Sequence, residues 1–358
     1  AALGAEDYDA LEPTRWPVSV RRDGGRFFSD GLFFHADQKA RLVPVSWRPP
    51  AAKTAPRYPF RLNTGRTRDQ WHTMTRTALS PRLSAHLAEP FLEIHPADAF
   101  AKGIGTADLV GVDSPQGSAI LRARITDTVR PGQVFAPMHW TGETAPSARI
   151  DALVAAVTDP VSGQPESKAS VVNVTRLDAA WYGFAVSVRP ITPKAAYWAR
   201  SVTRSGQRAE LAGLDRPQDW EAEARALFDL PTAELTSVMG PGQGNARLAF
   251  RENGQLIAAL FVSPTPIAVM RDYLATLPDQ PDQSLLSGRS PADVPDPGPI
   301  LCSCFGVGVN TILSAIEADG LLSVEAIGAA LQAGTNCGSC RPELADLLAS
   351  VQQKEAAE

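Results

Sequence analysis

The sequence predicts a multidomain α+β protein: a mixed β-barrel in the first half, an α+β middle unit, and a small all-helical module at the end that carries every cysteine. Three observations predict it. The 358 residues leave room for two or three cores, at about 100 to 200 residues per domain. From Phe60 to Leu177, short β-rich runs alternate with turns. The four cysteines all fall between Cys302 and Cys340, where apolar residues recur with a helical period.

Composition narrows the class. With 44% hydrophobic and 20% charged residues the chain is an ordinary globular protein. A net charge of -5 offers no basic excess to displace phosphate counterions, which excludes nucleic acid as a partner. No apolar run reaches the ~18 residues of a membrane span. The opening AALGAEDYDALEP has neither the charged nor the apolar region of an export signal. No membrane partner and a cytoplasmic location are therefore expected. The first residue is not Met and lies in what reads as domain interior, so the chain is expected to be a fragment.

Residues 1–57 hold a turn at Asp23-Gly24-Gly25 and an aromatic cluster, Phe27, Phe28, Phe33 and Phe34, before a Pro-rich stretch from Pro49 to Pro59. Residues 58–177 follow, with strands over FRLNTGR and LEIHP and a short helix over PADAFAKGI. A hairpin turning at Pro115-Gln116-Gly117 and further strands over VFAPMHW and ASVVNVTRL complete a mixed barrel. Residues 178–277 predict a hairpin around Glu252-Asn253-Gly254 and an amphipathic helix over PIAVMRDYLATL, with Trp181, Trp198 and Trp220 in the core. Gly240, Gly242 and Gly244 resemble a phosphate cradle, but a strand follows where a helix would be needed, so they predict a turn. Residues 278–299, with Pro281, Pro291, Pro295, Pro297 and Pro299, predict a semi-rigid linker to the module at 300–358.

The cysteines read C-x-C, 32 residues, C-x2-C: Cys302, Cys304, Cys337 and Cys340. Two close pairs on two loops suit a four-thiolate site for zinc or iron-sulfur. Between them, Asn310 and Thr311 can cap a helix that stops at Gly320, and Ser323 another that stops at Gly334. Pro342 suits the first turn of a third. Cysteine pairs set before helix N-termini favour an anionic cluster. A zinc ribbon would place its ligands on β knuckles, so iron-sulfur is the expected occupant and a zinc-stabilised interaction module the lesser alternative. CSCFGVGVNTILSAIEADGLLSVEAIGAALQAGTNCGSCRPELADLL resembles the 2Fe-2S domain similar to bacterioferritin-associated ferredoxin. That resemblance covers residues 301–349 and implies a 2Fe-2S cluster on the four cysteines.

The stretch RLNTGRTRDQWHTMTRTALSPRL sets Arg61, Arg66, Arg68, Arg76 and Arg82 against the single acid Asp69, in a chain acidic overall. Its hydroxyls, its Gly65 and the flat Trp71 and His72 suit a phosphate-bearing ring ligand. Composition by itself favours an exposed basic loop. TGRTRDQWHTMTRT, with the barrel and the later HW and QPESK, resembles the molybdopterin-dinucleotide-binding domain of the dimethyl sulfoxide reductase superfamily, specifically its assimilatory nitrate reductases. The resemblance implies a barrel of the double-psi type. It implies that Thr64, Gly65, Arg66, Trp71, His72, Thr73 and Arg76 lie along the pterin and its pyrophosphate, with His139, Trp140 and Lys168 nearby. Asp151 stands where that family commonly has Asn, so no guanine contact is assigned there. His35, His86 and His95 are expected in surface or satisfied core roles.

The resemblance further implies two-electron reduction of nitrate to nitrite at molybdenum bis(molybdopterin guanine dinucleotide), a cofactor shared with upstream residues. A 4Fe-4S cluster is expected only in that upstream part, and no catalytic residue is assigned in this chain. YDALEPTRWPV likewise resembles an interior stretch of the family and implies that 1–57 end an upstream molybdopterin oxidoreductase domain. The terminal cluster would receive electrons from a flavoprotein or ferredoxin. The alternative is a non-catalytic electron-transfer or cofactor-carrying subunit completed by another polypeptide.

Overall fold

The structure is a computed structural model that describes residues 10, 26–42, 44, 46–160, 162–240, 244–276, 285–291 and 295–357. It divides into two compact units, Ala1–Pro49 and Pro50–Glu358. In the first, Phe28 stacks on Phe33 with ring centroids 4.7 Å apart and Phe34 meets Phe28 edge-on. The Asp23-Gly24-Gly25 turn lies outside the described residues.

In the second unit six strands close a barrel: β1 (Phe60–Gly65), β2 (Phe91–Ile94), β3 (Leu109–Asp113), β4 (Ser118–Ile125), β5 (Gln133–Pro137) and β6 (Ser170–Arg176). Their order is β1-β5-β2-β4-β3-β6. β1 runs parallel to β5 and β2 to β4, while the other pairs are antiparallel. Alternation turns Phe60, Leu62 and Thr64 inward, and Leu62, Leu92, Ile94, Leu109, Leu121 and Val134 fill the interior. Two short helices, α1 (Pro81–Ser84) and α2 (Pro96–Ala101), lie between strands, and His95 caps α2 by accepting from Ala97 N.

An antiparallel sheet follows, built from β7 (Trp181–Ser187), β8 (Tyr197–Val202), β9 (Gln207–Gly213), β10 (Glu234–Met239), β11 (Ala246–Glu252) and β12 (Gln255–Ser263), in the order β10-β11-β12-β7-β9-β8. The Asn253-Gly254 turn joins β11 to β12 as expected. Asp219 caps α3 (Trp220–Phe228), and Trp181 and Trp220 are buried. Among the described residues of the helix expected over 266–277, only α4 (Arg271–Leu274) forms. Ile267 and Val269 pack against the sheet's apolar face before it, and ion pairs hold Arg271 to Glu210 and Asp272 to Arg208. Gly242 lies outside the described residues.

Barrel and sheet share one core through Tyr182, Tyr197, Ala199 and Ala212. The buried Tyr197 hydroxyl donates to Glu89 at 2.8 Å, and Arg122 of β4 lies between Glu89 and Glu210 of β9.

The cysteine module is not all-helical. It opens on an antiparallel hairpin of β13 (Ile300–Cys302) and β14 (Val307–Gly308), followed by α5 (Val309–Asp319), α6 (Val324–Leu331) and α7 (Arg341–Ala357). α5 begins before the expected Asn310 cap because the linker caps it: Val309 N donates to Pro299 O and Asn310 N to Pro297 O. Ser323 caps α6 by accepting from Ala326 N, as expected, but the helix ends at a left-handed Gln332 and not at Gly334. Among the described residues no helix is long and apolar enough to cross a membrane.

Candidate functional site

The ends of the parallel pair β1 and β5 bring most of the expected pterin contacts together. Thr64 is buried and donates through Oγ1 to Ser167 O at 2.9 Å, while Lys168 Nζ donates to the Thr64 carbonyl. Gly65 must lack a side chain, because a Cβ there would sit 2.6 Å from the Phe135 ring. Its carbonyl accepts from Met138 N. Thr67 N then donates to Nε2 of the buried His139 at 2.9 Å. Burial, and after it the charge of Arg66, holds the His139 imidazole below its usual pKa, so it stays neutral and can accept.

Arg66 lies over the Trp71 ring, 4.9 Å from its centroid, and Trp71 stacks on His72 at 4.8 Å. All three side chains are exposed. His72, Thr73 and Met74 are consecutive non-glycine residues at φ of 43°, 51° and 62°. Such strain persists only where surroundings enforce it, and Met74 is buried as the anchor. Thr73 and Arg76 lie exposed further along the loop, and Asp151 is exposed in a separate 3-10 turn.

Two buried polar atoms here, Thr67 Oγ1 and Trp140 Nε1, have no hydrogen-bond partner among the described residues. Leaving a buried donor unpaired costs about 1–3 kcal/mol, so these atoms fit a polar ligand held beside His139.

All four cysteines are free thiols. They stand as two pairs, each drawing one sulfur from either loop. Cys304 Sγ lies 3.3 Å from Cys337 Sγ, and the buried Cys302 and Cys340 are hydrogen-bonded to each other. Burial, with the charge and hydrogen bond of Cys302, pushes the Cys340 thiol up to about 11. Hydrogen bonding to Ser339 lowers that of Cys337. Among the described residues no group of three or more His, Cys, Asp or Glu side chains closes as a single-ion site. The donor set fits a cluster that takes two thiolates per iron.

Sequence reasoning missed what joins these regions. Arg68 is not free for phosphate: it pairs with Asp69 and Glu343 and donates to the Leu301 carbonyl at 2.7 Å. His86, expected in a satisfied role, has Nδ1 2.7 Å from Asp69 Oδ2. Burial alone would raise the Asp69 carboxyl, but hydrogen bonds from His86 and Arg68 outweigh it and hold it at about 2. The half-buried Glu89 and Arg122 and the buried Glu210 also escaped notice. No sequence signal marks them, since charged residues separated by dozens of positions become partners only on folding.

Residues 60–171 match the molybdopterin dinucleotide binding domain, and residues 300–350 match the BFD-like 2Fe-2S binding domain. A nitrate reductase of Klebsiella oxytoca is 41% identical over 98% of this chain and 40% of its own length. A nitrate reductase of Shewanella frigidimarina is 26% identical over 96% of the chain and 40% of its own length. The assimilatory nitrate reductase catalytic subunit of Bacillus subtilis is 34% identical over 48% of the chain and 25% of its own length. The chain thus spans at most 40% of these relatives. It matches a molybdopterin dinucleotide-binding domain and a BFD-like 2Fe-2S domain, and is similar along nearly all its length to part of a nitrate reductase.

Proposed function

We propose that this chain is the cofactor-holding and electron-accepting part of a cytoplasmic assimilatory nitrate reductase, which reduces nitrate to nitrite by two electrons. The observation that carries the reading is that one compact unit holds both a strained basic loop with unpaired buried polar atoms and four free thiols in two pairs.

When bound, the molybdenum-pterin centre supplies the oxygen-atom chemistry and the iron-sulfur cluster single electrons. The chain's own residues bind and orient. Thr64, Gly65, Arg66, Trp71, His72, Thr73 and Arg76 form the loop that would lie along the pterin and pyrophosphate, with Arg66 and Arg76 as phosphate donors. His139 sets the loop's course through Thr67 N, and Trp140 Nε1 offers a further donor. Lys168 holds the Thr64 carbonyl. Cys302, Cys304, Cys337 and Cys340 would hold the cluster.

In this reading the pterin domain is 58–177, the middle unit 178–277 supports it through Tyr197 and Glu210, and the cluster module is 300–358. Residues 1–57 end an upstream oxidoreductase domain, and 278–299 act as linker. A flavoprotein or ferredoxin reduces the cluster, and the molybdenum ligand comes from outside this chain.

The test is metal analysis and turnover of the full-length protein beside purified residues 1–358. The longer protein is expected to contain iron, sulfide and molybdenum and to reduce nitrate with reduced viologen, while residues 1–358 alone do not. Zinc in place of iron, or no molybdenum in the longer protein, would overturn the reading.

A further inference from the structure

Arg66, Thr67 and Arg68 are consecutive, yet their contacts diverge. Arg66 lies over Trp71 and Thr67 N reaches His139, whereas Arg68 turns to the cysteine module. The Arg68 guanidinium is largely buried and spans both cysteine loops. Nη2 donates to the carbonyl of Leu301, the residue before Cys302. Nη1 pairs with Glu343, in the first turn of α7 just after Cys340. Asp69 holds the guanidinium from behind through Nε and Nη2, and receives a long bond from Ser303 Oγ at 3.4 Å. His86 completes the group, 2.7 Å from Asp69. A bidentate, charge-assisted pair of this kind fixes geometry as well as adding energy.

The thiols differ correspondingly in exposure: Cys302 and Cys340 are buried beside this contact, and Cys337 is exposed.

We propose that Arg68 is a positioning residue that seats the cluster module on the pterin-binding loop, so that electrons entering at the exposed Cys337 leave through the Cys302 strand, across the Leu301–Arg68 hydrogen bond. The inference rests on the functional reading above and adds the internal route. One hydrogen bond joins the ligand strand to the Arg68 side chain, whose covalent bonds run on to the loop backbone, and electron transfer slows steeply as such contacts open. Each pass moves one electron, returning the cluster from its one-electron-reduced to its oxidised state. Two passes, with two protons, turn nitrate into nitrite and water. A reduced one-electron carrier of the flavoprotein or ferredoxin class supplies them.

The test uses the full-length protein with both cofactors, its cluster reduced and then mixed rapidly with nitrate, and follows decay of the cluster's electron paramagnetic resonance signal. Arg68→Gln is expected to keep iron and molybdenum content, shift the cluster to a more negative potential because a cation is lost, and slow cluster reoxidation at least tenfold. Arg68→Lys keeps the charge without the two-loop bridge. It is expected to leave the potential near that of the wild type while reoxidation still slows. If Arg68→Gln loses a cofactor, Arg68→Lys decides, since it keeps a cation facing Asp69 while losing the bridge between the two cysteine loops. Reoxidation within twofold of the wild type in these variants overturns the route. A wild-type protein without cluster signal or molybdenum overturns the functional reading, and the route with it.

Discussion

The backbone N–H of Thr67 donates to Nε2 of His139 across 72 positions of chain, tying the loop after β1 to the segment after β5. His139→Ala leaves that donor unpaired and should cost about 1–3 kcal/mol, with loss of retained pterin in the full-length protein. His139→Gln, which restores an acceptor, should recover part of both. Thermal unfolding and molybdenum content check this. The imidazole pKa is lower folded than unfolded, so the unfolded state takes the proton first. The bond's contribution is therefore full above the ordinary imidazole value of about 6.5 and is lost as pH falls through the lower folded value. The protection of the Thr67 amide against hydrogen exchange, taken relative to the intrinsic base-catalysed rate at each pH, should fall on acidification and not on alkalinisation.

Arg66→Ala or Arg76→Ala in the full-length protein should lower retained pterin, because charge-assisted bonds to phosphate are lost. Both side chains are exposed, so stability should move by less than about 0.5 kcal/mol. Unchanged molybdenum and pterin content in both variants would remove the loop from the cofactor site.

Cys337→Ser should weaken or abolish the 2Fe-2S signal while molybdenum stays bound. Activity with the physiological donor should collapse, and a small reductant able to reach the inner centres should still drive nitrate reduction. Retention of both activities would contradict a role in electron entry.

Gly213→Ala tests the middle unit without touching either site. A Cβ at 213 would lie 2.1 Å from Nε1 of Trp181, whose indole donates to Asp215 O. Trp181 is buried in the core with Trp220, so relief requires repacking and should cost about 3 kcal/mol. Denaturant unfolding measures it.

Local signals carried much of this in the sequence. Helical periodicity and Ser323 announced the paired helices between the cysteines, Asn253-Gly254 announced its turn, and alternation in FRLNTG announced a strand with one buried face. Signals failed where a distant segment supplied a missing partner. Carbonyls of Pro297 and Pro299 took over the cap expected from Asn310, and packing of Ile267 and Val269 on the sheet left α4 only four residues long.

The sequence by itself determined the chemistry available to this protein: four cysteines in two close pairs, a basic, hydroxyl-rich loop after a strand, and the residue types that suit thiolate-bound iron and phosphate. Tertiary structure alone decided how these are joined. It gave Arg68 to Glu343 and Leu301 instead of phosphate, paired Cys304 with Cys337, and set His139 under Thr67. Periodicity and capping act over a few residues and can be read along the chain. The partner of a buried charge or thiol is whichever group folding brings within about 3 Å, and no local pattern encodes that.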